Sequence, residues 1–386
     1  MRFVHTADWQ LGKPFAGIED PAKRALLQQE RIACLERIGQ AARQHQASFI
    51  VVSGDLFDSP HTTKATVSAA CAAIGALGLP VFAIPGNHDH GGPGSLWEQP
   101  FFQREAAALA PNFRILLQAA PVEMDEAVLF PCPLLRRSEA DDTTQWLRSA
   151  DEWERYGNKV RIVLAHGSTQ GFGSAGDDED SDSAGNQIDL SRLPAGAYDY
   201  IALGDWHGTK QVSTHAWYSG TPEFDRFPKG DDHDPGNILL VTATRGSAPE
   251  VVPCRTARIG WHADEFTFAD DAGVEQLEER LRALLGARAG QDLLRLTLSG
   301  SLGLAAFVRL EHLLEVLESR LLRIKLSNAT RVAPSAEETL ALTQRASDPL
   351  ISRVATALVT RTAGDGEDAD IARIALRELH AALAAR

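Results

Sequence analysis

Five short polar motifs, each closing a short apolar run, restrict the fold of this chain more than any other feature. The motifs are Asp8-Trp9-Gln10, Gly54-Asp55-Leu56-Phe57-Asp58, Gly86-Asn87-His88-Asp89, His166-Gly167 and Gly204-Asp205-Trp206-His207. They end the runs at 2–6, 49–53, 80–85, 160–165 and 198–203, which are rich in aliphatic and β-branched residues. An apolar run that stops in a polar, Gly-marked turn predicts a buried strand delivering side chains to one edge of an α/β sheet. Between the runs, Asp20 before Pro21 predicts a helix start and a helix to about residue 46. An Ala-rich stretch predicts a second helix over 62–77, stopped by Gly78. Alternating strand and helix is the pattern of a layered α/β domain. Further along, a strand is expected at 128–131, a helix over 142–156, and closing strands at 217–220 and 237–242.

Five deliveries from distant parts of a chain meet only where there is a site. The delivered residues are Asp, Asn, His and Gln, oxygen and imidazole donors suited to hard or borderline divalent cations. A two-ion hydrolase needs one carboxylate shared between both ions. Asp55 fits that position, because Gly54 before it lets the backbone come close.

In order and spacing the five motifs resemble the calcineurin-like metallophosphoesterases. The opening Met1-Arg2-Phe3-Val4-His5-Thr6-Ala7-Asp8-Trp9, the run Val52-Ser53-Gly54-Asp55-Leu56-Phe57-Asp58-Ser59 and Tyr218-Ser219-Gly220-Thr221-Pro222 are similar to DNA-repair nucleases of the SbcD type. Gln10 stands where that pattern has a histidine, and so does Asp205. These departures, with Asn87-His88-Asp89-His90-Gly91-Gly92-Pro93-Gly94, look most like a bacterial clade of manganese-dependent, repair-associated single-strand DNA endonucleases, called MPE. The resemblance implies a first ion held by Asp8, Gln10, Asp55 and His207, and a second held by Asp55, Asn87, His166 and Asp205. It places His88 over the phosphate as catalytic donor, with Asp89 orienting it and His61 as a second phosphate contact. Asp58 is expected to support its loop. Trp206 is a candidate platform for an unpaired base, although packing beneath the metal loops is the commoner use for it and for Trp9. Arg136, Arg137, Arg226 and Lys229 are candidates to grip a nucleic-acid backbone.

Exchanging two imidazoles for an amide and a carboxylate hardens the donor set, favouring two Mn2+ per chain, allowing Mg2+ and disfavouring Zn2+. Three ligand carboxylates also leave less positive charge for substrate, which suits a phosphodiester monoanion better than a phosphomonoester dianion. A net charge of −14 argues against a nonspecific nucleic-acid coat. Part of it is local, in Asp177-Asp178-Glu179-Asp180-Ser181-Asp182, expected to be a disordered loop.

The organisation expected is a layered metallophosphoesterase α/β sandwich over 1–253, a smaller α+β domain over 254–333 and a C-terminal helical segment over 334–386. The α+β domain should hold strands at 261–268, 293–298 and 321–326 and helices at 273–285 and 304–320. Helices are also expected at 348–361 and 368–385. The resemblance implies that the α+β domain caps DNA. It also implies that the C-terminal helices can dock a partner ATPase or other repair proteins; packing on their own chain is the alternative. Four cysteines without C-x-x-C spacing point to a reducing compartment. With no apolar run long enough to span a bilayer, no membrane partner and a cytoplasmic location are expected. The function expected is a manganese-dependent endonuclease on single-stranded or frayed DNA. The alternatives are an SbcD-like exonuclease subunit dependent on an SbcC-like ATPase, a non-catalytic scaffold with decayed ligands, or a phosphatase for small phosphoesters.

Overall fold

A computed structural model describes residues 1–149, 154–169, 185–227, 234–332, 335–364 and 366–384. Among these, Met1–Ile259 and Gly260–Arg386 form two compact units. The acidic run 177–182 and Lys229 lie outside the described residues.

The first unit opens with β1 (Arg2–Thr6), α1 (Pro21–His45), β2 (Ile50–Ser53), α2 (Lys64–Ala76), β3 (Val81–Ile84), α3 (Pro100–Leu109) and β4 (Phe113–Ile115). Asp20 starts α1 as its sequence suggests: its carboxylate accepts the N–H groups of Ala22 and Lys23 at 2.7 and 3.2 Å. Gln46 ends the helix in the left-handed region, φ 59°. Then come β5 (Val122–Glu123), β6 (Ala127–Cys132), β7 (Val160–His166), β8 (Ser168–Thr169), β9 (Gln187–Ile188) and β10 (Tyr200–Gly204). The unit closes with β11 (Lys210–Gln211), β12 (Ala216–Tyr218), β13 (Asn237–Thr242) and β14 (Glu250–Arg255).

These strands make two six-stranded sheets, β14-β13-β1-β2-β3-β4 and β11-β12-β10-β7-β6-β5. Pairing is parallel from β1 to β4 and from β12 through β10 and β7 to β6. Side-chain alternation sorts each strand between two layers. Phe3, Val51, Ile84 and Leu239 of the first sheet meet Leu129, Ile162, Leu164 and Tyr200 of the second in one buried cluster. Val4, Ile50, Val52 and Val81, on the opposite face, pack with Leu35 and Ile38 of α1 and Val67 and Ile74 of α2. The outer face of the second sheet buries Phe130, Val163 and Leu203 with Leu147 and Tyr198.

Over 142–149 and 154–156, the described part of 142–156, the expected helix is not formed. Among the described residues there are only short 3-10 turns, Gln145–Arg148 and Glu154–Tyr156. The Asp142 carboxylate takes the Thr144 N–H and hydroxyl at 2.9 and 2.7 Å, the kind of local side-chain bond that favours a turn over a helix.

The second unit is β15 (Trp261–Phe268), α4 (Gly273–Leu285), β16 (Leu293–Leu302), α5 (Leu304–Arg320), β17 (Arg323–Asn328) and β18 (Arg331–Val332). The helices α6 (Ala336–Thr343), α7 (Pro349–Thr362) and α8 (Glu367–Ala384) follow. β15, β16 and β17 run parallel, with α4 and α5 as crossovers. β17 begins two residues later than expected because Leu321 still belongs to the helix end, its N–H bonded to the Leu317 carbonyl at 2.8 Å. α6 was not expected; Ser335 and Glu338 form the capping box that starts it. The C-terminal helices pack on their own unit, where Leu342, Ala355 and Leu376 join Leu304 in a buried cluster. No helix among the described residues is long and apolar enough to cross a membrane.

Candidate metal centre

β1, β2, β3, β7 and β10 all release their chains into the polar motifs, and the release is abrupt. Asp8, Gln10, Asp55 and Asp205 have φ of 53°, 42°, 55° and 102°, the left-handed region that residues with side chains seldom enter. Hydrogen bonds clasp the first two turns together: Asp8 N–H to the Gly54 carbonyl at 3.1 Å and Gln10 N–H to the Asp55 carbonyl at 2.9 Å. Two glycines make room. A Cβ on Gly54 would overlap the His166 ring, and one on Gly86 would overlap the Asp55 carboxylate.

Asp8, Asp55 and His166 are buried, and their ligand atoms lie within 4.8 Å of one another. His166 Nε2 is 3.6 Å from Asp55 and 3.9 Å from Asp205. The Asp205 N–H donates to the Asp8 carboxylate at 3.2 Å, and the Ser168 hydroxyl donates to Asp205 at 2.9 Å. Burial pushes the Asp8 carboxyl well above the usual range, and the charges of Asp55 and Asp205 add to this while His166 opposes it. Burial pulls Asp55 the same way, yet the imidazoles of His166 and His88 outweigh it and hold Asp55 low. For His166, burial would lower the pKa, but Asp55, Asp8 and Asp205 raise it to about 9.

The donor set fits a cation. The His166 Nδ1–H donates to the Ser53 carbonyl at 2.8 Å, so Nε2 of the neutral ring carries a lone pair. The Asn87 amide reaches that Nε2 at 3.0 Å and the Asp55 oxygens at 3.1 and 3.3 Å. With its nitrogen on this side, Asn87 donates to all of them. With its oxygen there and the ring neutral, every group at the spot is an acceptor, so a positive charge is needed: a proton on His166 Nε2, which the raised pKa allows, or a bound cation in its place.

The calcineurin-like phosphoesterase profile matches residues 1–209, more than half of the chain. This chain belongs to the calcineurin-like phosphoesterase family. The solved structure of TT1561 from Thermus thermophilus is 13% identical to this phosphoesterase, with a TM-score of 0.39, covering 66% of this chain and 98% of that one. A second solved structure, also 13% identical, has a TM-score of 0.38 and covers 65% of this chain and 98% of its own. The family works with divalent metals, and the cluster around His166 is where this phosphoesterase would hold them.

His207 belongs to a second group of side chains. Its Nδ1 is 3.1 Å from Asp225 Oδ1, and its Nε2 is 3.4 Å from the Gln10 amide nitrogen. The Gln10 oxygen accepts from Lys13 Nζ at 2.7 Å. Burial lowers the His207 pKa against the pull of Asp225. Asp225 is itself buried and held well below the usual carboxylate range, because His207, Lys13 and Arg226 outweigh its burial. Nothing in the sequence pointed to Lys13; the one hint for Asp225 was that it follows the Tyr218–Pro222 segment.

His88 donates from Nδ1 to the Asp58 carbonyl at 2.8 Å, while the Asp58 carboxylate pairs with Lys13 Nζ at 3.3 Å. Its backbone N–H donates to Asp55 at 3.0 Å. The nearby Asp55 charge, opposed by burial, raises the His88 pKa. Asp89 does not orient this ring. Its carboxylate takes the N–H groups of Gly86 and Phe57 at 2.7 and 3.1 Å, tying two motif loops together. His61 is exposed, and its backbone N–H donates to the Ser59 hydroxyl at 3.2 Å. Trp206 is half-buried and packs against the cluster on the outer face of the second sheet. Trp9 is buried, its indole donating to Thr6 at 2.9 Å. Arg226 pairs with Asp225 at 3.2 Å.

Proposed function

We propose that this phosphoesterase is a manganese-dependent DNA endonuclease acting in the cytoplasm on single-stranded or frayed DNA in repair, of the SbcD-like MPE kind its motifs resemble. The observation that carries this reading is the gathering of three carboxylates, Asp8, Asp55 and Asp205, around His166 in one cluster. Oxygen donors in that number favour Mn2+ or Mg2+ over Zn2+, and their charge favours a diester monoanion as substrate. Two bound divalent ions would supply a nucleophile at neutral pH and offset the charge that develops on the phosphate. Asp55, Asn87, His166 and Asp205 would hold one of them, and Asp8, Asp55 and His207 the other. His88 has its Nδ1 proton committed to the Asp58 carbonyl, so Nε2 is the atom that would give a proton to the departing DNA oxygen. The α+β domain over 254–333 serves in this reading as the DNA-capping domain.

A second reading is favoured by the C-terminal helices, where Leu350 is 70% exposed, Ile371 56% and Ile374 53%. Large apolar side chains left open suit a docked partner, as an SbcD-like exonuclease subunit dependent on an ATPase would need. One assay separates these readings: purified chain, Mn2+ and no ATP, on circular single-stranded DNA and on linear duplex. Cleavage of the circle supports the endonuclease. Loss of duplex ends only when an ATPase is supplied supports the second reading. Hydrolysis of neither substrate, with metal bound, would point to the scaffold.

A further inference from the structure

We propose that Lys13 is a positioning residue that turns Gln10 from a metal ligand into a hydrogen-bond donor, leaving the ion position at Asp8, Asp55 and His207 the weaker of two. The proposal rests on the two-ion reading above.

Lys13 Nζ is 2.7 Å from Gln10 Oε1, 3.3 Å from Asp58 Oδ1 and 3.2 Å from Asp225 Oδ2. An ammonium has three donors and no acceptor, so these three oxygens satisfy it. Reversing the Gln10 amide would press its NH2 against the ammonium, donor to donor. Lys13 therefore selects one orientation. The oxygen, the only atom of Gln10 able to ligate a cation, faces Lys13, and the NH2 faces His207 Nε2 at 3.4 Å. The arrangement closes on itself, since the carboxylate that holds Lys13 through Oδ2 also holds His207 Nδ1 through Oδ1 at 3.1 Å. Gln10 cannot swing away to escape it. The residue is fully buried, its backbone is in the left-handed region at φ 42°, and its N–H is bonded to Asp55.

Two consequences follow for a cation at this position. It loses a ligand, because an NH2 stands where an imidazole or an amide oxygen would give a lone pair. It also meets the fixed positive charge of Lys13 at short range. The position at Asn87, His166 and Asp205 has neither handicap. An ion on the Gln10 side is then readily exchanged, and one on the Asn87 side is retained.

The test is calorimetric titration of Mn2+ into metal-stripped, full-length protein, for the wild type, Lys13→Met, Gln10→Leu and the double variant. The wild type should bind two ions with affinities separated by about tenfold or more. Lys13→Met should tighten the weaker event by about tenfold and leave the tighter one within roughly threefold. In the Gln10→Leu background the same change should tighten it only about threefold, because there the charge alone is removed. Equal tightening in both backgrounds, or none in either, would overturn the proposal while leaving the two-ion reading intact. If Lys13→Met does not fold, Gln10→Glu keeps the Lys13 pairing and offers a carboxylate oxygen in place of the NH2. Its weaker event should tighten by about tenfold, and an unchanged value overturns the proposal. A wild type that binds no Mn2+ overturns the metal centre and this proposal together.

Discussion

Asp8, Gln10, Asp55 and Asp205 share an unusual backbone conformation, and each such residue costs about 1–3 kcal/mol unless its surroundings impose it. Four strained residues in three neighbouring turns mark the place where the fold gives up stability for position. The side chains they present differ in task, and His88 is the sharpest case. A proton donor matters when the leaving group is poor, as a DNA hydroxyl is, and little for a nitrophenolate that departs unaided. His88→Ala should lower Mn2+-dependent DNA cleavage by roughly 10²–10⁴-fold and hydrolysis of an activated aryl phosphodiester far less. Metal content should stay near that of the wild type. Equal losses on the two substrates, with metal lost as well, would make His88 a ligand or a folding residue. Asp89 shows how neighbours in one motif divide the work, since its carboxylate joins the Gly86 and Phe57 loops while the Asp58 carbonyl orients the ring.

β1 and α1 are joined by a side chain that no motif announced. Arg31 of α1 is buried and donates to the carbonyls of Trp9, Glu223, Phe224 and Asp8 at 2.8, 3.0, 3.3 and 3.2 Å, and to the Thr221 hydroxyl at 3.1 Å. It thereby holds the turn after β1 against the segment carrying Asp225. Arg31→Met should cost roughly 2–5 kcal/mol by urea denaturation, because buried carbonyls lose a charged partner. It should also weaken Mn2+ binding, since Asp8 would no longer be held; a loss below about 1 kcal/mol would contradict this. β1 carries a second buried group, His5, bonded to the Tyr200 hydroxyl at 2.9 Å. Burial lowers its pKa from 6.5 to about 3, opposed by a backbone bond to Leu203. Below pH 6.5 the unfolded chain therefore binds a proton that the folded chain refuses. The His5 contribution is present above that value and lost as pH falls towards about 3, at ~1.4 kcal/mol per pH unit. His5→Phe should flatten the fall in stability between about pH 6 and pH 4.5. Parallel curves for the two proteins would show that acid sensitivity arises elsewhere.

Across the whole chain, the net charge of −14 opposes the polyanion proposed as substrate. Attraction must then come from the metal centre and a few local contacts. Single-stranded DNA binding by the His88→Ala protein should be undetectable by fluorescence anisotropy in chelator and appear with Mn2+. Its dependence of log K on log salt should be no steeper than about −3, the mark of few phosphate contacts. Tight binding in chelator with a steep salt dependence would reveal a basic surface instead. Much of the α/β architecture was legible in the chain, because strand and helix leave a short-range signal of apolar period, cap and turn residue. The runs before Asp8, Asp55, Asn87, His166 and Asp205 and the Asp20-Pro21 start are of this kind. The 142–156 segment misled because the Asp142 carboxylate takes the Thr144 N–H and hydroxyl, a local competition that periodicity does not register. The site was legible as a set of residue types. Tertiary structure decided which way those residues face: the Gln10 amide turned by Lys13, His207 backed by Asp225, the Asp8 turn held by Arg31. Lys13 and Asp225, like Arg31 and Glu223, stand far apart along the chain, and a contact made across such a distance leaves no period or spacing in the sequence. Only folding brings the partners within hydrogen-bond reach.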